Sequence, residues 1–166
     1  MKTISPEIIR FLKSHSFALV STVDKRGRPN TSPKGIVEIE EGGYVYLMDL
    51  YHGRTRRNLQ CNPHISVIAI DEERFRGWQL RGTAEIVTAG PEFEAHLPAW
   101  ERLSIRRTTD RLLRNIGKGV KTPHHFEVHF PTPKYLIKVK VDEIIDLAPR
   151  PGKWKVGEKK SSNSTD

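Results

Sequence analysis

Tyr44-Val45-Tyr46-Leu47-Met48-Asp49-Leu50-Tyr51-His52-Gly53-Arg54-Thr55-Arg56-Arg57-Asn58-Leu59 changes character halfway along. Tyr44 to Met48 is an aromatic and aliphatic run of strand composition. From Arg54 to Cys61 the residues suit a short helix, which Asn62-Pro63 stops because a residue before proline is pushed out of the helical region. That helix opens with three arginines, the wrong sign for its own dipole, at a cost of about 0.3–1 kcal/mol for each charge. A bound anion would reverse the sign. Free backbone N–H groups, the Thr55 hydroxyl and the guanidinium forks all donate, and Gly53 allows a close approach of the backbone. Solvated surface arginines are the alternative, and this segment alone leaves both readings open.

Working outward, the flanking residues supply a sheet. Phe17 to Val23 is a β-rich run ending in the turn Asp24-Lys25-Arg26-Gly27. Pro29 to Ile39 follows as a second strand, and Glu40-Glu41-Gly42-Gly43 turns it back into Tyr44–Met48. Three strands joined by tight turns form an antiparallel meander. Downstream, His64 to Ile70 is so continuously apolar that burial on both faces is expected. Trp78 to Val87 is a further strand with a bend or bulge expected at Gly82. Tyr135 to Val141 alternates apolar residues with Lys138 and Lys140 and closes the set. Two helical stretches frame these strands. Ser5-Pro6-Glu7 opens a short N-terminal helix with a capping hydroxyl and a first-turn proline. Gly90-Pro91-Glu92 opens another, expected to break at Pro98 and resume from Trp100 to Ile116. The expected fold is mainly β with helices (α+β): a six-stranded antiparallel β-barrel with peripheral helices, in one domain over residues 1–149. Gly117 to His125 reads as a loop, and residues 150–166 as a polar, disordered tail.

Composition excludes several classes. With 166 residues the chain can bury a core of its own. No apolar run approaches the roughly 20 residues of a membrane span, and the N-terminus lacks the apolar stretch of a signal peptide. A single cysteine, Cys61, excludes an internal disulfide framework and a multi-cysteine zinc site, and no metal site is expected. Cys61 itself is expected to be buried and structural. A soluble cytoplasmic protein fits these features. The net charge of +8 points to an anionic partner. Seven basic residues against Asp110 fall between Arg102 and Lys121, so the excess is local.

Two more segments carry chemistry. Asn30-Thr31-Ser32-Pro33-Lys34-Gly35 places a proline, a lysine and small polar residues inside a strand, which fits an edge or a bulge. Its freed backbone and the Lys34 ammonium can face a ligand, or it is simply a protected edge. In Trp78 to Arg81, alternation sets Gln79 and Arg81 opposite Trp78 and Leu80, and the Gln79 amide offers both a donor and an acceptor. Arg102, Arg106, Arg107, Arg111 and Arg114 interleave with apolar residues as a basic amphipathic helix, a solvated face or the flank of a ligand cleft. His124, His125 and His129 cluster without a cysteine or carboxylate to complete a metal site, so a surface or cleft role is expected.

Taken in order, the Ser32-Pro33-Lys34-Gly35 strand, the hairpin, the Gly53-Arg54-Thr55 helix start, Asn62-Pro63 and a strand ending Gly82-Thr83-Ala84-Glu85 resemble the pyridoxamine 5′-phosphate oxidase-like family of FMN-binding split barrels. The resemblance runs from about Phe17 to Val87 and more loosely to Leu147. It implies a homodimer with flavin at its interface, FMN as cofactor and two-electron redox chemistry on a small molecule, with a nicotinamide nucleotide as a candidate electron donor. It assigns the phosphate to Arg54 and Thr55, aided by Arg56 or Arg57. Ser32, Pro33, Lys34 and Gly35 would line the ring and ribityl chain, Met48 and Asp49 would lie beneath the ring, and Gln79 would meet its edge. Two departures stand out. Thr55 occupies the position at which the oxidases usually carry lysine. The oxidases' C-terminal arginine–histidine segment has no counterpart near Gly152-Lys153-Trp154-Lys155, which puts vitamin B6 oxidation in doubt. Members that bind haem or a deazaflavin keep a flavin, deazaflavin or haem carrier as the alternative. A nucleic-acid module is disfavoured, because charge is present without a reading motif.

Overall fold

The computed structural model describes residues 2–15, 17–117 and 130–149. The expected 117–125 loop, apart from Gly117, the residues His124, His125 and His129, and the 150–166 tail lie outside them. The elements run α1 (Pro6–Ser14), β1 (Ala18–Val23), β2 (Pro29–Glu40), β3 (Tyr44–Asp49), α2 (Arg54–Leu59), β4 (His64–Asp71), β5 (Arg76–Val87), α3 (Pro91–Gly117) and β6 (Tyr135–Asp146). The six strands close an antiparallel barrel in the order β1-β2-β3-β6-β5-β4.

β2 serves two neighbours in succession. Pro29 to Lys34 pair with β1, and Gly35 to Glu40 pair with β3. Pro33 therefore has a strand on one side only, which is where a residue without an N–H can sit. The partner change falls between Lys34 and Gly35.

The barrel interior is filled by Val20, Val45, Leu47, Val67, Leu80, Ile137, Val139 and Val141, all fully buried. The α1 helix adds Ile8 and Leu12 to this core, with Ile4 just ahead of it. Its start is capped as expected, with Ser5 Oγ accepting from the Ile8 N–H at 3.4 Å. A second apolar cluster lies outside the barrel wall: Tyr46, Met48 and Leu136 are covered by Phe93, Leu97 and Trp100 of α3.

Four details differ from the sequence expectation. The α3 helix runs unbroken through Pro98, which forgoes one intrahelical hydrogen bond while apolar residues on both sides of it pack on the wall. β4 is buried on one face only, because the barrel has one interior; Ile70 is 53% exposed on the other. Cys61 is exposed, lying past the last turn of α2, whose buried face is Thr55, Asn58 and Leu59. β6 continues to Asp146. Glu143, Ile144 and Ile145 pair with Arg81, Leu80 and Gln79. The register shifts at Arg81/Gly82, leaving Asp142 as the extra residue, so the expected irregularity at Gly82 is present and the alternation of β6 breaks there.

Candidate functional site

The partner change in β2 sets the site. Ser32 pairs with Val20 and Lys34 with Ala18, both buried core residues, so Ser32 and Lys34 point to the interior side at one end of the barrel. Asp49 ends β3 directly opposite Tyr135, the first residue of β6. The Lys34 ammonium lies 2.6 Å from Asp49 Oδ2. The Tyr135 hydroxyl donates to the same oxygen at 2.6 Å. These side chains are nearly sealed, Lys34 being 11% and Asp49 6% exposed. Burial, and then the Asp49 carboxylate, push the Tyr135 phenol well above its usual value, while Arg56 nearby opposes the rise.

The α2 helix closes this end. Gly53 caps it without a side-chain acceptor. Thr55 Oγ1 lies 3.0 Å from Ser32 Oγ, and Asn58 Nδ2 donates to Thr22 Oγ1 at 3.0 Å. Buried hydroxyls and an amide thus dock a helix too short to be stable alone. Arg54 and Arg57 project into solvent. The Arg56 Nε atom is buried without a hydrogen-bond partner among the described residues, an unmet donor beside the Asp49–Tyr135 pair.

On the outer wall, between β2–β3 and α3, lies a cleft of about 530 Å³. Its floor is Pro33, Lys34, Gly35, Met48 and Asp49, five of the ten residues singled out from the sequence. Trp100, Ser104, Arg107, Asp110 and Arg111 of α3 form the opposite wall, and Phe17, Tyr51 and Phe130 the rim. The α3 helix comes close at Gly35, where a Cβ would stand 3.2 Å from Arg107 Nη1 and 3.3 Å from Leu103 Cδ2. The cleft therefore joins apolar, aromatic walls to a cationic side, the usual make-up of a site for a flat ligand bearing anionic groups.

The other five residues lie elsewhere. Ser32 and Thr55 face each other beside the cleft, and Arg54 stands on the exposed side of α2. Arg57 lines a separate depression. Gln79 points away from the barrel interior, donating to Ser66 Oγ at 2.8 Å, and does not line the cleft. Of the basic amphipathic helix, Arg107 and Arg111 reach the cleft, whereas Arg102 and Arg106 are exposed. Tyr135 and Trp100 were not picked out from the sequence. No motif marks either, although Tyr135 comes just after Pro131-Thr132-Pro133-Lys134, where a strand must restart. Among the described residues no cluster of metal-binding side chains occurs, and no helix is long and apolar enough to cross a membrane.

The sequence pattern of the pyridoxamine 5′-phosphate oxidase family matches residues 4–144, and the chain belongs to that family. Over 70 residues it is 36% identical to the heme oxygenase HutZ of Vibrio cholerae; this covers 42% of the present chain and 39% of HutZ, so the match spans well under half of that relative. Among solved structures, HupZ of Group A Streptococcus superposes with a TM-score of 0.65 at 26% identity, covering 87% of this chain and 94% of HupZ. The structure of HutZ, described as the heme storage protein of Vibrio cholerae, gives a TM-score of 0.52 at 21% identity, covering 87% and 94% of the two chains. These neighbours share the barrel described above.

Proposed function

We propose that the protein binds FMN in the cleft between β2–β3 and α3 and uses it as a redox cofactor for a small molecule. One observation carries the reading: the strand-partner change at Lys34–Gly35 lies at the floor of an aromatic-walled cleft, and Ser32, two residues before it, meets Thr55 of α2. The residues present fit the cofactor. Pro33, Met48 and Trp100 offer flat apolar contact for a ring system, and Lys34 offers a buried cation at its edge. On this reading the phosphate falls to Thr55 and Arg54, which lie outside the cleft lining, and the unmet Arg56 Nε–H gives an anion at this end of the barrel a donor. Bound flavin would supply two-electron transfer. The chain's own part is to position the ring, exclude water with Trp100 and Phe130, and attract an anionic substrate or nicotinamide nucleotide with Arg107 and Arg111.

A homodimer completes the proposal. Leu19, Ile68 and Ile70 make an apolar strip on the outer face of β1 and β4, with Leu19 39% exposed, and Gln79 flanks it. A second copy seated there would bring Gln79 toward cofactor held by its partner, which accounts for its distance from the cleft of its own chain. The lone cysteine suits a reducing compartment, and the cytoplasm is part of the same proposal.

Haem is the second reading, favoured by the 36% identity to heme oxygenase HutZ. Among the described residues no histidine or cysteine lines the cleft, so Met48 and Tyr51 are its haem-ligand types there. The test is direct. Cofactor extracted from purified protein is identified by mass, and stripped protein is titrated separately with FMN and with hemin. FMN uptake that weakens in Arg54→Ala supports the proposal. A Soret band with no flavin uptake replaces it with haem, and a deazaflavin mass replaces FMN with that cofactor.

A further inference from the structure

The β1–β2 turn and the exposed side of α2 enclose a second depression, of about 380 Å³, which shares no residue with the cleft. Lys25, Arg26 and Arg28 border it from the turn, and Arg57 and Gln60 from the helix, with Asp24 between them. We propose that this depression binds a diphosphate group, free or carried on a nucleotide.

Four cations meet there around one carboxylate, and that carboxylate is already committed. Asp24 Oδ1 accepts the backbone N–H groups of Arg26 at 2.8 Å and Arg28 at 3.0 Å. Its Oδ2 accepts the Arg28 Nε–H at 2.9 Å and pairs with the second guanidinium nitrogen at 2.8 Å. Asp24 therefore offsets Arg28 and no other group. Lys25, Arg26 and Arg57 make no ion pair among the described residues. Like charges held together without a counterion are mutually repelled, and an anion bound between them removes that repulsion.

The platform carrying these charges is stiff. The Gly27 N–H donates to the Asp24 carbonyl and the Asp24 N–H to the Arg28 carbonyl, both at 3.0 Å, with Gly27 in the left-handed region at φ 77°. Arg57 stands on a helix fixed to the barrel by the Asn58–Thr22 and Thr55–Ser32 contacts. Binding then loses little to ordering of the backbone. Guanidinium forks match phosphate oxygens in pairs, and several uncompensated cations suit an anion with several charges better than a single phosphate. No aromatic side chain lines the depression, so there is no stacking wall for a base. Recognition rests on the phosphates, which separates this site from a surface that reads single-stranded nucleic acid.

The proposal stands apart from the FMN reading, and one titration series tests it. The full chain, with and without saturating FMN, is titrated calorimetrically with sodium pyrophosphate, with ADP and with a short single-stranded DNA. Pyrophosphate is expected to bind in both FMN states, and Arg57→Gln and the double change Lys25→Gln/Arg26→Gln are each expected to weaken it by about tenfold or more. Equal affinities for pyrophosphate and ADP identify a free diphosphate as sufficient, whereas tighter ADP binding identifies a nucleotide. The proposal is overturned by any of four results: no binding of either anion, affinity unchanged in folded variants, displacement of pyrophosphate by FMN, or DNA that binds more tightly through the same residues.

Discussion

Tyr135 donates its hydroxyl to Asp49 Oδ2 across the β3–β6 pairing at 2.6 Å, on the oxygen that also meets the Lys34 ammonium. The first residue of the last strand thereby orients the carboxylate that neutralises a buried lysine at the floor of the cleft. Lys34 is only 11% exposed, so solvent replaces Asp49 poorly.

That arrangement ranks two substitutions. Asp49→Ala strands a buried ammonium and is expected to lower stability by roughly 3–5 kcal/mol, the usual result of removing one partner of a buried pair. Tyr135→Phe removes a donor and leaves Lys34 to hold the carboxylate, for a loss of about 1–3 kcal/mol. Urea denaturation of both variants measures the order. A Tyr135→Phe loss equal to or larger than that of Asp49→Ala would contradict Asp49 as the hub.

Gly82 lies tight against the backbone of the facing strand. A Cβ there would stand 1.9 Å from the Lys140 carbonyl oxygen, a backbone atom fixed by the β5–β6 ladder. Gly82→Ala must push the strands apart, and a loss of at least about 1–3 kcal/mol is expected. Gly42→Ala is the control, since nothing lies within 4 Å of its Cβ position. It should be neutral or slightly stabilising through the unfolded chain. Matching melting temperatures for the two variants would show that the β5–β6 approach is not tight.

The turns and strand composition carried most of the fold in the sequence. Each hairpin is short and local, so Asp24 to Gly27 and Glu40 to Gly43 specify their neighbours directly. The floor of the cleft was legible for the same reason: Ser32-Pro33-Lys34-Gly35 interrupts a strand pattern in a way that only a partner change or an edge accommodates. What failed is non-local. A Pro98 break is a sound local expectation, but apolar packing of Phe93, Leu97 and Trp100 on the barrel wall carries α3 through it. The apolar run of β4 gives no sign that one face turns outward, since Ile68 and Ile70 look like core residues until closure of the barrel is known. Tyr135 meets Asp49 across 86 positions of chain, and no local spacing encodes such a contact.

Gly35 should control access to the cleft more than stability. A methyl group at this position presses on the Arg107 guanidinium and on Leu103 at 3.2–3.3 Å, and these are side-chain atoms that can give by a few tenths of an ångström. Gly35→Ala is expected to weaken FMN binding several-fold while shifting the melting temperature by only a few degrees, within the usual span of a change of about 1 kcal/mol. Fluorescence titration and thermal melts on the same sample separate the two effects. Unaltered affinity would place the flavin away from the Gly35–Arg107 contact.

The β1–β2 turn gives a pH dependence of definite sign. The Arg28 backbone N–H, more than any other group, holds the Asp24 carboxyl below its usual value, with the Arg28 guanidinium adding to it. A carboxylate whose folded value is depressed contributes stability above its unfolded value of about 3.9, and that contribution is lost as pH falls through the lower folded value. Asp24→Asn keeps an oxygen for the Arg26 and Arg28 N–H groups but removes the charge. The melting temperature of the unaltered protein should therefore exceed that of Asp24→Asn by a steady margin near neutral pH. The margin should shrink once the pH drops below the ordinary carboxylate range, as the unaltered protein also loses the charge. Whatever margin persists at the acid end measures geometry rather than charge. A margin that widens on acidification would mean that Asp24 is protonated more readily in the folded chain than in the unfolded one, the reverse of what its four contacts require.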